Sequence, residues 1–146
     1  MERVEKFTLF FNLLYMIIGF TGTRKIKLIT KQRLFDLLKV LISFKIDYDT
    51  DLAVVHGCAE GTDTYFHNLC LLGNISIIGR PCIPTKLENF DILYDPSPPL
   101  KRNKEIVNDC NILIALPLSP SQEELRSGTW ATIRYAKAQN KKIIFI

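Results

Sequence analysis

The stretch LAVVHGCAEGTDTYF, residues 52–66, decides the fold. Its first part, LAVVHG, is an apolar run of strand length that ends at a glycine. Its second part begins a helical pattern directly after a second glycine. A strand that is apolar throughout is buried on both faces, which is typical of a parallel sheet covered by helices. These residues therefore predict one strand–loop–helix unit of an α/β domain.

The same alternation of strand and helix runs along the rest of the chain. We predict strands at 16–20, 52–57, 75–79, 112–117 and 141–146, and helices at about 31–44, 62–73, 101–110 and 129–140. The proline-rich stretch 80–100 is predicted to be a long loop. The pattern predicts a Rossmann-like, three-layer, doubly wound domain with a five-stranded, mainly parallel sheet and helices on both faces.

Length and composition are those of one folded domain, with 146 residues of which 47% are hydrophobic and 23% charged. We assign residues 1–15 to an apolar extension and 16–146 to the domain. The extension is interrupted by Asn12 and has no small-residue cleavage site, so we expect neither a signal peptide nor a membrane anchor. The net charge of +4 suits an anionic partner such as a nucleotide. Because no long basic run occurs, we do not expect nucleic acid as a partner.

The 4 cysteines are widely separated and form no CxxC pair. The nearest approach to a metal-ligand cluster is His56, Cys58 and the more distant His67, and we expect no metal site there. We also expect no cofactor. Cys70 and Cys110 have the character of small core residues, which favours a reducing compartment and a cytoplasmic location.

Ligands of open α/β sheets bind at the carboxyl ends of the strands, so the loops at that edge hold the candidate binding residues. The first loop, GFTGTR (19–24), offers Gly22, Thr23 and Arg24, and a guanidinium is well suited to phosphate. The loop does not match the GxGxxG dinucleotide fingerprint. An ordinary strand-to-helix turn explains it equally well.

The second loop, HGCAEGTD (56–63), has Gly57 directly after a strand and Gly61 directly before a helix. We expect free backbone amides at this helix start to attract an anion. Asp63 lies in the first turn of the helix, where it either caps the helix or accepts hydrogen bonds from a ribose.

The third and fourth loops bring polar side chains to two further helix starts. Arg102 and Asn103 follow a run of prolines and suit a ribose phosphate or a base edge. Ser127, Gly128 and Thr129 follow the fourth strand, and their hydroxyls and amides can converge on one phosphate. Gly128 lets an oxyanion approach the backbone because it has no Cβ. Simple capping of the helix explains the same three residues.

Five pieces of sequence, in this order, make residues 16–146 similar to the SLOG superfamily of Rossmann-like proteins: GFTGTR (19–24), HGCAEGTD (56–63), GRPCIP (79–84), PLKRN (99–103) and ALP…RSGTW (115–130). The superfamily includes the YpsA-like proteins, to which the likeness is greatest. It also includes the "lonely guy" phosphoribohydrolases and the DprA DNA-processing proteins. The resemblance implies a nucleotide-related ligand at the edge of the sheet.

The chain departs from the phosphoribohydrolases at the positions that carry their chemistry. Arg102 matches the family arginine, but Asn103 stands at the family lysine. The family motif PGGxGTxxE aligns on Gly128 and Thr129, and its acidic positions are held here by residues 130–132, which are Trp, Ala and Thr.

Cleavage of an N-glycosidic bond builds positive charge on the ribose and needs a carboxylate. The carboxylates available are Asp63 and, in an inserted loop, Glu123 and Glu124. Arg102 and Asp63 are thus the candidate catalytic residues, and whether the chain is an enzyme stays open.

Three functions follow from these residues. The first is binding of a nucleotide or a nucleotide-derived small molecule. The second is a phosphoribohydrolase that releases a base from a nucleoside 5′-monophosphate. The third is DprA-like binding of single-stranded DNA, which the absence of a basic stripe and of an aromatic platform disfavours. We also expect a homodimer, because the family commonly dimerises and the apolar extension needs cover.

Overall fold

The computed structural model describes residues 15–146, so all of the predicted extension except Tyr15 lies outside the described residues. Within them, six strands and four α-helices alternate along the chain. The strands are Met16–Gly22 (β1), Leu52–His56 (β2), Ser76–Gly79 (β3), Ile92–Leu93 (β4), Ile112–Leu116 (β5) and Lys142–Phe145 (β6). The helices are Lys31–Tyr48 (α1), Thr62–Leu72 (α2), Pro99–Asp109 (α3) and Gly128–Ala138 (α4).

All six strands form one parallel sheet in the order β4-β3-β2-β1-β5-β6. The predicted Rossmann-like α/β fold is confirmed, but the sheet has six strands and not five. The additional strand is β4, which lies inside the stretch that the sequence predicted as a loop. With only two residues, β4 is too short to show a strand periodicity.

Alternate residues of the central strand β1 point to opposite faces of the sheet, and each face is covered by helices. Ile18 and Phe20 belong to a core with Leu37 of α1 and Phe66 of α2. Ile17 belongs to the opposite core, where Ile106 of α3 and Ala136 of α4 cover the sheet. Such two-sided burial explains why the strands are apolar throughout.

The strand order places a topological switch point between β1 and β5. From β1 the chain moves through β2 and β3 toward one edge of the sheet, and β5 and β6 extend it on the other side. Gly22 and Leu116, the last residues of the two strands, are paired neighbours. The loops that leave them in opposite directions open a crevice of the kind in which such folds bind ligands.

Within residues 15–146, no helix combines the length and the apolar character that a membrane crossing requires.

Candidate functional site

A cavity of about 460 Å³ lies at the switch point. Its walls come from the loop after β1, the loop after β2, the first turns of α3 and the N-terminal end of α4. The cavity brings together ten of the eleven residues that the sequence predicts to bind a ligand. These are Gly22, Thr23, Arg24, Gly57, Asp63, Arg102, Asn103, Ser127, Gly128 and Thr129.

Gly61 is the eleventh predicted residue, and it does not line this cavity. Its backbone φ of 84° lies in the left-handed region that favours glycine. A Cβ at this position would overlap the backbone carbonyl of Arg24. Gly61 therefore serves close packing between the first and second loops.

The start of α2 is bonded to the first loop. Both the amide and the hydroxyl of Thr62 donate to the carbonyl of Thr23, at 3.2 and 2.7 Å. Gly22 allows this approach, since a Cβ there would overlap the Thr62 hydroxyl oxygen. The amide of Thr62, which the sequence predicts to be available to an anion, is thus used by the protein itself. We call this pair of contacts the Thr23–Thr62 clamp.

Arg102 is buried at the base of the cavity and is fixed by its neighbours. Its Nη1 donates to the carbonyl of Gly57 at 2.6 Å, and its Nε donates to Oδ1 of Asn103 at 2.9 Å. Gly57 is required by this contact, because a Cβ there would lie 2.5 Å from Nη1. These bonds use Nε and Nη1, and Nη2 is the remaining donor group of the guanidinium. Asn103 thus orients the arginine.

Asp63 is buried beside Arg102, in the first turn of α2. Burial raises the pKa of its carboxyl to about 6, although the amide of Ala59 and the charge of Arg102 act in the opposite direction. The Ala59 amide donates to Oδ2 of Asp63 at 3.1 Å. A carboxyl group with a pKa near neutrality is suited to proton transfer as well as to hydrogen bonding.

The N-terminal end of α4 forms the opposite wall. Ser127 is the N-cap residue, and its hydroxyl accepts a hydrogen bond from the amide of Trp130 at 3.3 Å. Gly128 faces open space, with no heavy atom within 4 Å of the position that a Cβ would take. Gly128 and Thr129 line the cavity at this helix start, where the helix dipole favours an anion.

The charge balance of the cavity is positive, with four cationic and two acidic side chains in its lining. Lys25 and Arg126 join Arg24 and Arg102, although the sequence reasoning did not single them out. Each is the immediate neighbour of a predicted residue, and this adjacency is the signal that could have found it.

The inserted loop supplies one carboxylate to the cavity. Glu124 lies in its lining. Glu123 points elsewhere, because it forms an ion pair with Arg134 at 2.7 Å. Of the carboxylates considered for glycosidic chemistry, Asp63 and Glu124 thus share the cavity.

His56 and His67 form a buried chain of hydrogen bonds behind the second loop. Nε2 of His67 is 2.7 Å from the carbonyl of Glu88, which can only accept, so this nitrogen carries the proton. Nδ1 of His67 then accepts from Nε2 of His56 at 2.9 Å, and Nδ1 of His56 accepts from the amide of Cys58 at 3.0 Å. Both rings are neutral in this chain, and burial lowers the pKa of His56 to about 3.

The histidine chain has a structural role that the sequence reasoning did not foresee. It holds Cys58 at a φ of 58° and thereby shapes the loop that carries Gly57. No group of three or more metal-ligating side chains occurs among residues 15–146.

Arg80 of the GRPCIP motif is a second scaffold residue. Its Nε donates to Oδ2 of Asp109 at 2.8 Å, and its guanidinium stacks on the ring of Tyr94 at 3.4 Å. It also forms an ion pair with Glu105. These contacts join the end of β3 to α3 and hold the helix that carries Arg102.

No family model matches the sequence, and neither does any curated protein. Solved structures do match. DNA processing protein A from Streptococcus pneumoniae has a TM-score of 0.68 at 19% identity, with 92% of this chain and 51% of that one covered. The molybdenum cofactor carrier protein of Chlamydomonas reinhardtii has a TM-score of 0.67 at 16% identity, with 90% of this chain and 76% of that one covered. The molybdenum cofactor binding protein of Rippkaea orientalis has a TM-score of 0.63 at 16% identity, with 90% of this chain and 76% of that one covered.

The chain thus spans about half the length of the DNA processing protein and about three quarters of the two molybdenum cofactor proteins. At these identities the likeness shows the fold. It confirms the Rossmann-like fold that the sequence predicts.

Proposed function

We propose that the cavity at the switch point binds a nucleotide or a nucleotide-derived small molecule. The observation that carries this proposal is the meeting of two loops and two helix starts around a single, positively charged cavity. A volume of about 460 Å³ is within the range of roughly 300–1,000 Å³ that is typical of small-molecule sites.

The phosphate would bind between α4 and the first loop. The amides of Gly128 and Thr129 would donate to its oxygens, and Arg24 would balance its charge from the opposite wall. The open space at Gly128 supports this orientation, since it lets an oxyanion reach the backbone.

The sugar would bind above Arg102 and Asp63. Nη2 of Arg102 would donate to a ribose or phosphate oxygen, while the Asp63 carboxylate would accept from a ribose hydroxyl. The two side chains are already oriented by Gly57, Asn103 and Ala59, so little ordering cost would be added on binding.

The comparisons support a small-molecule partner at a coarse level. Two of the similar solved structures are named for carrying or binding molybdenum cofactor, and one is named for DNA processing. Because the cavity has the dimensions of one small ligand, we favour a small molecule over a polynucleotide for this chain.

Thermal unfolding with a panel of nucleoside 5′-monophosphates tests the proposal. A ligand present at 100 times its Kd adds about 2.7 kcal/mol to the free energy of unfolding and raises the Tm of the wild-type protein. Gly128→Asp should abolish this rise, because it places a carboxylate where the phosphate would lie. The helix itself tolerates an acidic residue in its first turn. If no nucleotide raises the wild-type Tm, the proposal is wrong.

Ser43→Asp is the matched control for Gly128→Asp. It adds the same carboxylate at an exposed position of α1, outside the lining of the cavity. This variant should keep the full rise in Tm with nucleotide.

A second candidate function is hydrolysis of the N-glycosidic bond of the bound nucleotide. It is favoured by the presence of two carboxylates, Asp63 and Glu124, in the same cavity as Arg102. A carboxyl group whose pKa is raised to about 6 can activate water or stabilise the positive charge that develops on the ribose.

Chromatographic detection of free base from adenosine 5′-monophosphate tests this activity. Release that is abolished by Asp63→Asn and retained by Glu123→Gln would support it, because Glu123 is paired with Arg134 outside the cavity. Binding without release would leave the chain as a nucleotide-binding protein.

A further inference from the structure

We propose that the same ligand extends into a second cavity, which accepts its planar nitrogen heterocycle. This inference rests on the proposed function and specifies which part of the ligand lies where. The second cavity measures about 400 Å³ and shares Arg24, Gly57 and Ala59 with the first. The two cavities are thus adjacent compartments of one site.

The second cavity lies between two loops at the carboxyl edge of the sheet. One side comes from residues 57–60, which follow β2, and the other comes from residues 82–87, which follow β3. Strand β3 pairs with β2, so the second compartment is displaced along the sheet edge from the switch point. A ligand that occupies both compartments must therefore be elongated.

The chemistry of the lining matches a flat ring with apolar faces and polar edges. Ile83, Pro84 and Leu87 supply apolar surface against which a ring face can pack. Glu60 supplies a hydrogen-bond acceptor and Lys86 a donor for the edge of the ring. Apart from the shared Arg24, this lining differs from the arginine-rich helix start that would hold a phosphate.

Gly57 and Ala59 line both compartments, and they are held in place from both sides. On the side of the first cavity, Arg102 binds the carbonyl of Gly57 and Asp63 binds the amide of Ala59. On the other side, the hydroxyl of Thr64 donates to the carbonyl of Ala59 at 3.1 Å. A ribose bound at Arg102 and Asp63 would lie next to these shared residues, and the base attached to it would extend past them into the second compartment.

Cysteine labelling provides a direct test, since Cys58 and Cys82 line the second cavity while Cys70 and Cys110 are buried. Burial raises the pKa of the Cys58 thiol to about 12. At pH 8 Cys58 is therefore protonated and reacts slowly, because the thiolate is the nucleophile. Labelling of Cys82 with N-ethylmaleimide, followed by peptide mass mapping, therefore reports on the second compartment.

We expect adenosine 5′-monophosphate at saturation to slow the labelling of Cys82 by about tenfold or more, because a bound base excludes the reagent. Ribose 5-phosphate should slow it by less than about twofold, because it occupies only the first cavity. Saturation is established for each ligand from its effect on Tm.

Cys82→Phe gives a second, independent measurement, because the larger side chain fills the second compartment. Its Kd for adenosine 5′-monophosphate should rise by about tenfold or more, while its Kd for ribose 5-phosphate changes by less than about twofold. Cys82→Ser is the matched control and should bind both ligands like the wild-type protein.

The outcomes separate this inference from the proposed function. If adenosine 5′-monophosphate raises the Tm but neither protects Cys82 nor responds to Cys82→Phe, the base lies elsewhere and the nucleotide site at the switch point stands. If neither ligand raises the Tm, the proposed function fails and this inference fails with it.

Discussion

Glycine has two different roles around the cavity at the scale of single residues. At Gly57 the missing Cβ makes room for the buried guanidinium of Arg102, whereas at Gly128 it leaves open space. The same substitution at the two positions should therefore affect different properties of the protein.

We expect Gly57→Ala to lower the free energy of unfolding by about 1–3 kcal/mol, because it overpacks the contact with Arg102. It should also abolish nucleotide binding by displacing that side chain. Gly128→Ala should leave the free energy of unfolding within about 0.5 kcal/mol of the wild-type value and weaken nucleotide binding alone. Urea denaturation and nucleotide-dependent Tm measure the two properties. Equal losses of stability in both variants would contradict this assignment.

Asp63 gives the stability of the protein a dependence on pH. Its pKa is about 6 in the folded protein and 3.8 without the effect of the fold. Between these values the folded state binds more protons than the unfolded state, so the contribution of Asp63 falls as pH rises toward 6. The slope reaches at most about 1.4 kcal/mol per pH unit.

Asp63→Asn should remove this pH dependence of the free energy of unfolding, while the side chain keeps an oxygen that can accept a hydrogen bond from the Ala59 amide. We expect the variant to gain stability relative to the wild-type protein as pH rises from 4 to 7, measured by urea denaturation at each pH. His56, whose pKa is lowered to about 3, contributes a slope of opposite sign, but it is the same in both proteins. A difference between the two proteins that is constant with pH would show that Asp63 does not titrate as described.

At the scale of secondary-structure elements, Arg33 connects the first turn of α1 to the far side of the cavity. Its guanidinium donates to the carbonyls of Pro117 and Leu118, at 2.6 and 2.9 Å, and to the carbonyl of Ile146. The loop between β5 and α4 thus begins at a fixed point.

Arg33→Ala should lower the free energy of unfolding by about 1.5–3 kcal/mol, because it leaves carbonyls without their charged donor. It should also weaken nucleotide binding, since the loop before Ser127 loses its anchor. Lys39→Ala on the same helix is the control; its contact with Asp36 is exposed and should be worth less than about 1 kcal/mol. Equal effects of the two substitutions on stability would contradict a role for Arg33 as an anchor.

Elements with a clear periodicity could be predicted from the sequence, and contacts between distant loops could not. Strands β1, β2 and β5 are recognisable because both of their faces are buried and their residues are apolar. The apolar spacing of α1 and the glycines around α2 likewise indicate those helices. The two-residue β4 leaves no such pattern.

The position of the candidate site at the edge of the sheet could be predicted from the order of strands and helices. Parallel strands carry their carboxyl ends to one edge, so residues that follow the strands meet there. That rule does not specify which backbone amides are already bonded. The Thr23–Thr62 clamp joins residues 39 positions apart. Only the folded chain shows that the Thr62 amide at the start of α2 is already bonded to the carbonyl of Thr23.

At the scale of the whole molecule, α1 and α2 leave an apolar groove of about 350 Å³ on one surface. Ile46 is 75% exposed and Leu72 is 84% exposed along it. The expected homodimer stays a prediction, and this groove is the surface that we expect a second copy to cover.

Ile46→Asp should shift the protein toward monomer, because it places a charge on the apolar groove. Sedimentation equilibrium at micromolar concentrations measures the change, with Lys39→Ala as an exposed control on the same helix. A wild-type protein that is monomeric at every concentration would contradict the prediction, and a dimer unaffected by Ile46→Asp would place the contact elsewhere.

The Thr23–Thr62 clamp has a consequence for how this sequence can vary. Because a Cβ at position 22 would overlap the hydroxyl of Thr62 and crowd the ring of Phe20, any side chain larger than hydrogen at 22 requires a smaller residue at 62 and a shift of that ring. The two positions belong to motifs that are far apart in the chain, yet Gly22 cannot be replaced unless position 62 changes with it.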